Sequence, residues 1–226
     1  MRNLVASLMA LVTVGCLTFG GTALNAATIT VDVREVTPGG ETFDLTGEWG
    51  TLDWAYSHGG EVNEKAGADL ISTPLPTGMT GDKNPDYQFS FTDGTDPESG
   101  TISESGWIND DWSGTVTAPS AAPFTIYAWG TVFRGVAEFT ATVGGVSDSA
   151  TYELDHNDRD PGALFTINVN PDNAGDTVDL SYVLTESYAT WSAAGFTAVS
   201  VIPEPTSLAL LGLGLMALTL RRGRRR

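Results

Sequence analysis

Ala137-Glu138-Phe139-Thr140-Ala141-Thr142-Val143 decides the fold, because apolar residues take every second position and polar ones fill the gaps. Successive side chains of a β-strand point to opposite faces, so a period of two makes a strand with one buried and one wet side. The pattern recurs in both directions. Ile29, Val31 and Val33 alternate with Thr30, Asp32 and Arg34, and Tyr87, Phe89 and Phe91 alternate with Gln88, Ser90 and Thr92. Val178, Leu180, Tyr182 and Leu184 repeat it, and residues 51–56, 114–118, 124–130, 149–154, 163–169 and 196–202 read as further strands. Gly, Pro, Asn and Asp clusters separate them, such as Thr37-Pro38-Gly39-Gly40 and Asn170-Pro171-Asp172-Asn173, residues that close turns by their backbone freedom or their local hydrogen bonds. Outside the two ends no stretch carries a helical apolar stripe. An all-β fold follows for residues 28–202, with the strand number and turn spacing of a two-sheet sandwich.

The chain has 226 residues, enough for one domain with sorting segments. Its formal charge is −17, and six of its eleven basic residues lie at the ends: Arg2, Arg221, Arg222, Arg224, Arg225 and Arg226. Residues 28–202 keep five basic residues against 27 acids, 5 − 27 = −22. Nucleic acid is thereby excluded as a partner, since phosphate binding needs clustered Lys and Arg.

The first 27 residues have the parts of a secretory signal peptide: basic Arg2, an apolar run over residues 4–19, and small Ala23, Ala26 and Ala27 before a cut near Ala26 or Ala27. Thr13-Val14-Gly15-Cys16 is similar to a lipoprotein acylation box, with Thr where Leu is usual; the simpler reading leaves Cys16 in the discarded run. Cys16 is the one cysteine, so the mature chain has no disulfide, thiol nucleophile or cysteine-ligated zinc.

At the other end, Pro203-Glu204-Pro205 precedes an apolar stretch over residues 207–220 and then Arg221-Arg222-Gly223-Arg224-Arg225-Arg226. As a helix these 14 residues span about 21 Å, less than the roughly 30 Å hydrocarbon core, and the arginines keep the tail cytoplasmic and the preceding domain outside. The tripartite order resembles the PEP-CTERM sorting signal, over residues 203–226. The resemblance implies recognition by an exosortase-type transpeptidase near Pro203, Glu204 and Pro205, with Arg221, Arg222, Arg224, Arg225 and Arg226 as the tail anchor. It also implies a place in the cell envelope, at the surface or in an extracellular polysaccharide matrix. Glu204 is on this reading a substrate residue with no catalytic role.

A second resemblance rests on Asp53-Trp54-Ala55-Tyr56, Asn63-Glu64-Lys65-Ala66-Gly67, Phe89-Ser90-Phe91-Thr92-Asp93-Gly94, Phe124-Thr125-Ile126-Tyr127-Ala128-Trp129-Gly130 and Gly175-Asp176-Thr177-Val178-Asp179-Leu180-Ser181-Tyr182. These segments are similar to jelly-roll modules of the galactose-binding-like class, which occur in bacterial surface and carbohydrate-active proteins. The stretch Tyr56-Ser57-His58-Gly59 departs from that pattern.

Site chemistry is sparse. His58 and His156 are the only histidines, His156 sits in a polar run, and no Gly-x-Ser-x-Gly elbow accompanies them, which argues against a Ser–His triad. Paired carboxylates for glycoside cleavage remain open, because sequence does not measure their separation. Asp155, Asn157, Asp158 and Asp160, and the run from Asp93 to Glu98, bring oxygen ligands onto loops as calcium requires, although Arg159 and Pro97 break the helix–loop–helix calcium register. Calcium is the one cofactor to weigh; otherwise these are solvated acidic loops. Sugar recognition stacks a flat aromatic face on a pyranose, with Asp or Asn on its hydroxyls. Trp107, Asn109, Asp110, Asp111 and Trp112 supply both types within six residues, while Trp54 and Trp129, inside strands, read as core. The expectation is a non-enzymatic exported protein with a structural or adhesive role and polysaccharide as a ligand. The alternatives are a secreted glycan hydrolase or lyase and, last, an ice-binding protein, which needs a regular threonine array that this sequence does not show as a fixed period.

Overall fold

The computed structural model describes residues 26–36, 41–58, 61–72, 82–83, 87–102, 105–106, 111–154, 162–188 and 193–204. Among them the regular structure is all strand: β1 (Thr28–Glu35), β2 (Glu41–Asp44), β3 (Asp53–His58), β4 (Glu61–Glu64), β5 (Asp82–Lys83), β6 (Tyr87–Phe91), β7 (Gly100–Ile102), β8 (Ser105–Gly106), β9 (Trp112–Thr117), β10 (Phe124–Phe133), β11 (Gly135–Val143), β12 (Val146–Leu154), β13 (Gly162–Asn170), β14 (Thr177–Ser187) and β15 (Ala193–Pro203). The expected signal peptide, apolar helix and arginine tail fall outside these residues, apart from the small residues at its end, Ala26 and Ala27. No helix among the described residues is long and apolar enough to cross a membrane.

Six strands, in the order β1-β13-β10-β15-β3-β4, make the largest sheet, and β12-β11-β14-β9 make the second. The two pack face to face as alternation requires. Val31, Ile126, Ala128, Phe165, Ile167 and Val199 from the first meet Val116, Phe139, Ala141, Leu180 and Tyr182 from the second. The Phe139 and Phe165 rings stack with centroids 4.9 Å apart, and the Tyr182 hydroxyl donates to the Thr131 carbonyl at 2.9 Å, tying the sheets together. Each large apolar side chain buried in this way contributes about 1.5–3 kcal/mol.

The second face of the six-stranded sheet is buried too, which alternation alone did not foresee. A third sheet, β2-β6-β7, covers it: Phe43, Phe89 and Phe91 pack on Trp54, Tyr56, Trp129 and Leu164. Trp129 stands edge-on to Phe43 and Phe89, 5.2 Å from each. Residues of both parities in β10 and β13 are therefore buried. Of this cover, β2 and β7 have four and three residues, too few for a period to be read.

Antiparallel pairing places Ile29, Val169, Phe124 and Pro203 in one row across β1, β13, β10 and β15. The first strand thus begins, and the last ends, at the same end of the sandwich. The turns after β9, β11 and β13 meet there: Ala118 N donates to Asp176 O at 2.8 Å, and a Cβ on Gly144 would lie 3.0 Å from the Ala27 side chain.

Candidate functional site

The sorting segment begins inside the fold. Along β15, Phe196, Val199 and Val201 point into the main core and hold the strand between β10 and β3. Pairing with β3 stops at Val201, opposite Asp53, whereas pairing with β10 continues to Pro203, opposite Phe124. Proline donates no N–H and suits a strand's end. One residue later, Glu204 N donates to the Pro123 carbonyl at 3.4 Å. Two of the three predicted motif residues, Pro203 and Glu204, are thus attached to the sheet with no linker, while Pro205, Arg221, Arg222, Arg224, Arg225 and Arg226 lie outside the described residues.

Of the predicted glycan-binding cluster the structure describes Asp111 and Trp112. Trp112 opens β9 instead of occupying a loop, and its ring stacks on Phe196 with centroids 3.8 Å apart and planes 7° apart. At 5% exposure it has no face for a pyranose. Period two explains the correction, since Trp112, Gly114 and Val116 share the inward parity. Asp111 is exposed at the strand's mouth, and Trp107, Asn109 and Asp110 lie outside the described residues. Trp54 and Trp129 are core, both fully buried.

Asp155, Asn157, Asp158 and Asp160 also fall outside the described residues. The other acidic loop is held by protein donors. Asp93 accepts bonds from the Trp54 indole N–H at 3.0 Å and the Thr46 hydroxyl at 2.9 Å and pairs with Lys65. Burial pushes its carboxyl up, but the bonds from Lys65, Thr46 and Trp54 outweigh this and leave it below the ordinary carboxylate value. Asn63 Oδ1 accepts from the backbone N–H groups of Thr95 and Asp96 at 3.0 and 3.2 Å and from the Thr95 hydroxyl at 2.9 Å. Lys65 and Asn63, two residues apart at the end of β4, thus hold this loop, one through the Asp93 carboxylate and the other through backbone N–H groups.

Asp53, which sequence reasoning left unassigned, is a buried carboxylate at 3% exposure. Its Oδ1 accepts the Trp54 N–H at 2.8 Å, and its Oδ2 accepts those of Leu70 and Ile71 at 2.8 and 2.9 Å. Burial raises its affinity for a proton, partly offset by these bonds. Its role is positional: Ile71 bridges to Val116, and Leu70 and Ser72 bond Thr117 and Thr115, so Asp53 docks a segment along the free edge of β9.

The outer face of the four-stranded sheet is a ladder of hydroxyls. Register sets Ser147, Thr142, Asp179 and Thr115 in one row and Ser149, Thr140, Ser181 and Ser113 in the next. Strand spacing places neighbours in a row about 4.8 Å apart, and rows about 7 Å apart. Thr142 and Ser147 bond each other at 2.7 Å, and Ser149 donates to Glu138 at 2.8 Å. The rows mix Ser, Thr and Asp and are not the all-threonine array an ice surface would ask for.

Residues 201–226 match the PEP-CTERM protein-sorting motif. The match begins inside β15 and covers Pro203, Glu204, Pro205 and the arginine tail, so an all-β domain runs directly into a sorting signal. This supports the expectation of an exosortase substrate among exported, β-rich proteins. No curated protein matches the chain.

Proposed function

We propose that this is a non-enzymatic protein of the cell surface or extracellular matrix, exported by its signal peptide over residues 1–27. An exosortase-type transpeptidase acts on it at residues 203–226, after the apolar stretch at 207–220 has anchored it in the membrane. The observation that carries this is the motif match at residues 201–226, continuous with the last strand of the sandwich. Tags at both ends, followed in cells with and without the transpeptidase, test it. The wild-type chain loses its C-terminal tag and leaves the membrane only when the enzyme is present. Release of an untrimmed chain, or equal trimming without the enzyme, removes the proposal.

The sandwich itself is read as a structural or adhesive module of the galactose-binding-like jelly-roll class, supported by its two antiparallel sheets. With Trp112 in the core, support for a polysaccharide contact shifts to the hydroxyl ladder of β9, β11, β12 and β14, whose spaced donors and acceptors suit a polymer of hydroxyls. A glycan array probed with wild type and with a Thr140→Val, Ser149→Val, Ser181→Val triple variant checks this: binding lost in the variant supports the face, and unchanged binding excludes it.

A further inference from the structure

We infer that, before processing, the sandwich stands end-on against the lipid headgroups, with the turns after β9, β11 and β13 facing the bilayer. This rests on the anchoring reading above and adds an orientation and a contact surface to it. Three observations carry it.

The first is where the chain leaves the fold. Pro203 is paired in the sheet, and the apolar stretch begins at Ser207, four Cα steps and at most about 14 Å of extended chain away. The body therefore has no room to swing away from the surface. The second is the N-terminal side. Ile29 lies in the same row as Pro203, three strand spacings or roughly 14 Å across, and the apolar run over residues 4–19 precedes it. While residues 1–27 are still attached, two apolar segments thus lead to one end of the body, as insertion of both into one membrane requires.

The third is the chemistry of that end. An acidic domain is repelled by anionic headgroups over a Debye length of about 8 Å. Yet Pro119-Ser120-Ala121-Ala122-Pro123 and Gly144-Gly145-Val146 carry no charge, and Val146 is one of two large exposed hydrophobics among the described residues. The remaining turn adds Asp172 and Asp176, the Asp176 carboxylate accepting the Asn173 N–H at 2.8 Å, and Glu204 stands beside Pro123, so the uncharged contact surface is that of the turns after β9 and β11. At the far end stand Arg134, Glu153 and Glu186. That end lies a strand length away, about 30 Å for nine or ten residues.

The test uses the full-length precursor with Cys16→Ala, in vesicles of phosphatidylethanolamine and phosphatidylglycerol containing a headgroup-spin-labelled lipid. One fluorophore is placed at Ala121→Cys and, in a second sample, at Glu186→Cys, both exposed positions. The expected result is quenching at position 121 and none at 186. A ten-residue Gly/Ser spacer between Ile202 and Pro203 should weaken quenching at 121 while the protein still floats with the vesicles. Flotation with equal quenching at both positions, or stronger quenching at 186, overturns the orientation alone. A precursor that does not float with the vesicles overturns the anchoring reading and the orientation with it.

Discussion

Asp93 and Asp53 are both partly withdrawn from water, and their surroundings drive their protons in opposite directions. Asp93 faces Lys65, Thr46 and Trp54, so its carboxyl lies below the ordinary 3.8. Its contribution to stability is complete above that value and is lost as pH falls through the lower folded one. Asp53 binds its proton more tightly in the folded chain. What it adds is present below 3.8 and lost as pH rises through its raised value. Replacing Asp93→Asn should therefore destabilise the protein by roughly 1–2 kcal/mol at neutral pH. It should also flatten the fall in stability as pH drops below the ordinary carboxylate range, measured by urea midpoints. Trp112→Ala should cost about 3–5 kcal/mol in the same assay, because it empties the space against Phe196. A surface tryptophan would cost almost nothing.

Elements are joined by close backbone contacts at two register shifts, one in β10–β15 between Trp129 and Gly130, the other in β11–β14 between Val136 and Ala137. Beside the second, Gly135 lies so near β14 that a Cβ would sit 2.3 Å from the Glu186 carbonyl oxygen and 3.1 Å from Leu184 Cδ1. Backbone cannot yield as a side-chain tip can. Gly135→Ala should lower stability by roughly 1–3 kcal/mol, with a matching drop in thermal midpoint by calorimetry. Gly145→Ala, strained by its φ of 81° but with open space around it, should cost less.

On the scale of the whole molecule the dominant quantity is charge. Residues 28–202 carry −22, and Lys65 and Arg34 are each engaged in an ion pair, with Asp93 and Glu41. Self-repulsion of this size opposes compactness and is screened by salt. Raising sodium chloride from about 0.05 M to about 0.5 M should thus raise the thermal midpoint by several degrees, even though it weakens the two pairs. A midpoint that falls with salt would place the pairs above the net repulsion. The same repulsion opposes close approach of two copies of the chain.

Strand identity was legible because one face of a strand must be dry, which stamps a period of two on Ala137, Phe139, Ala141 and Val143 whatever surrounds them. The sorting motif was legible because it is a linear string, Pro-Glu-Pro, an apolar stretch and arginines in order, that needs no tertiary contact to be recognised. The third sheet was not: β2 and β7 are too short to display a period, and what buries Trp129 on its second side comes from residues far along the chain. Trp112 looked like a loop residue beside Asn109 and Asp110, and only pairing with Tyr182 turned it toward Phe196. Local chemistry determined which segments extend and where the chain is sent. Register between distant strands decided which aromatic rings are hidden, which hydroxyls align, and that both ends of the domain leave from one side, since a sheet's pairing is a property no single segment contains.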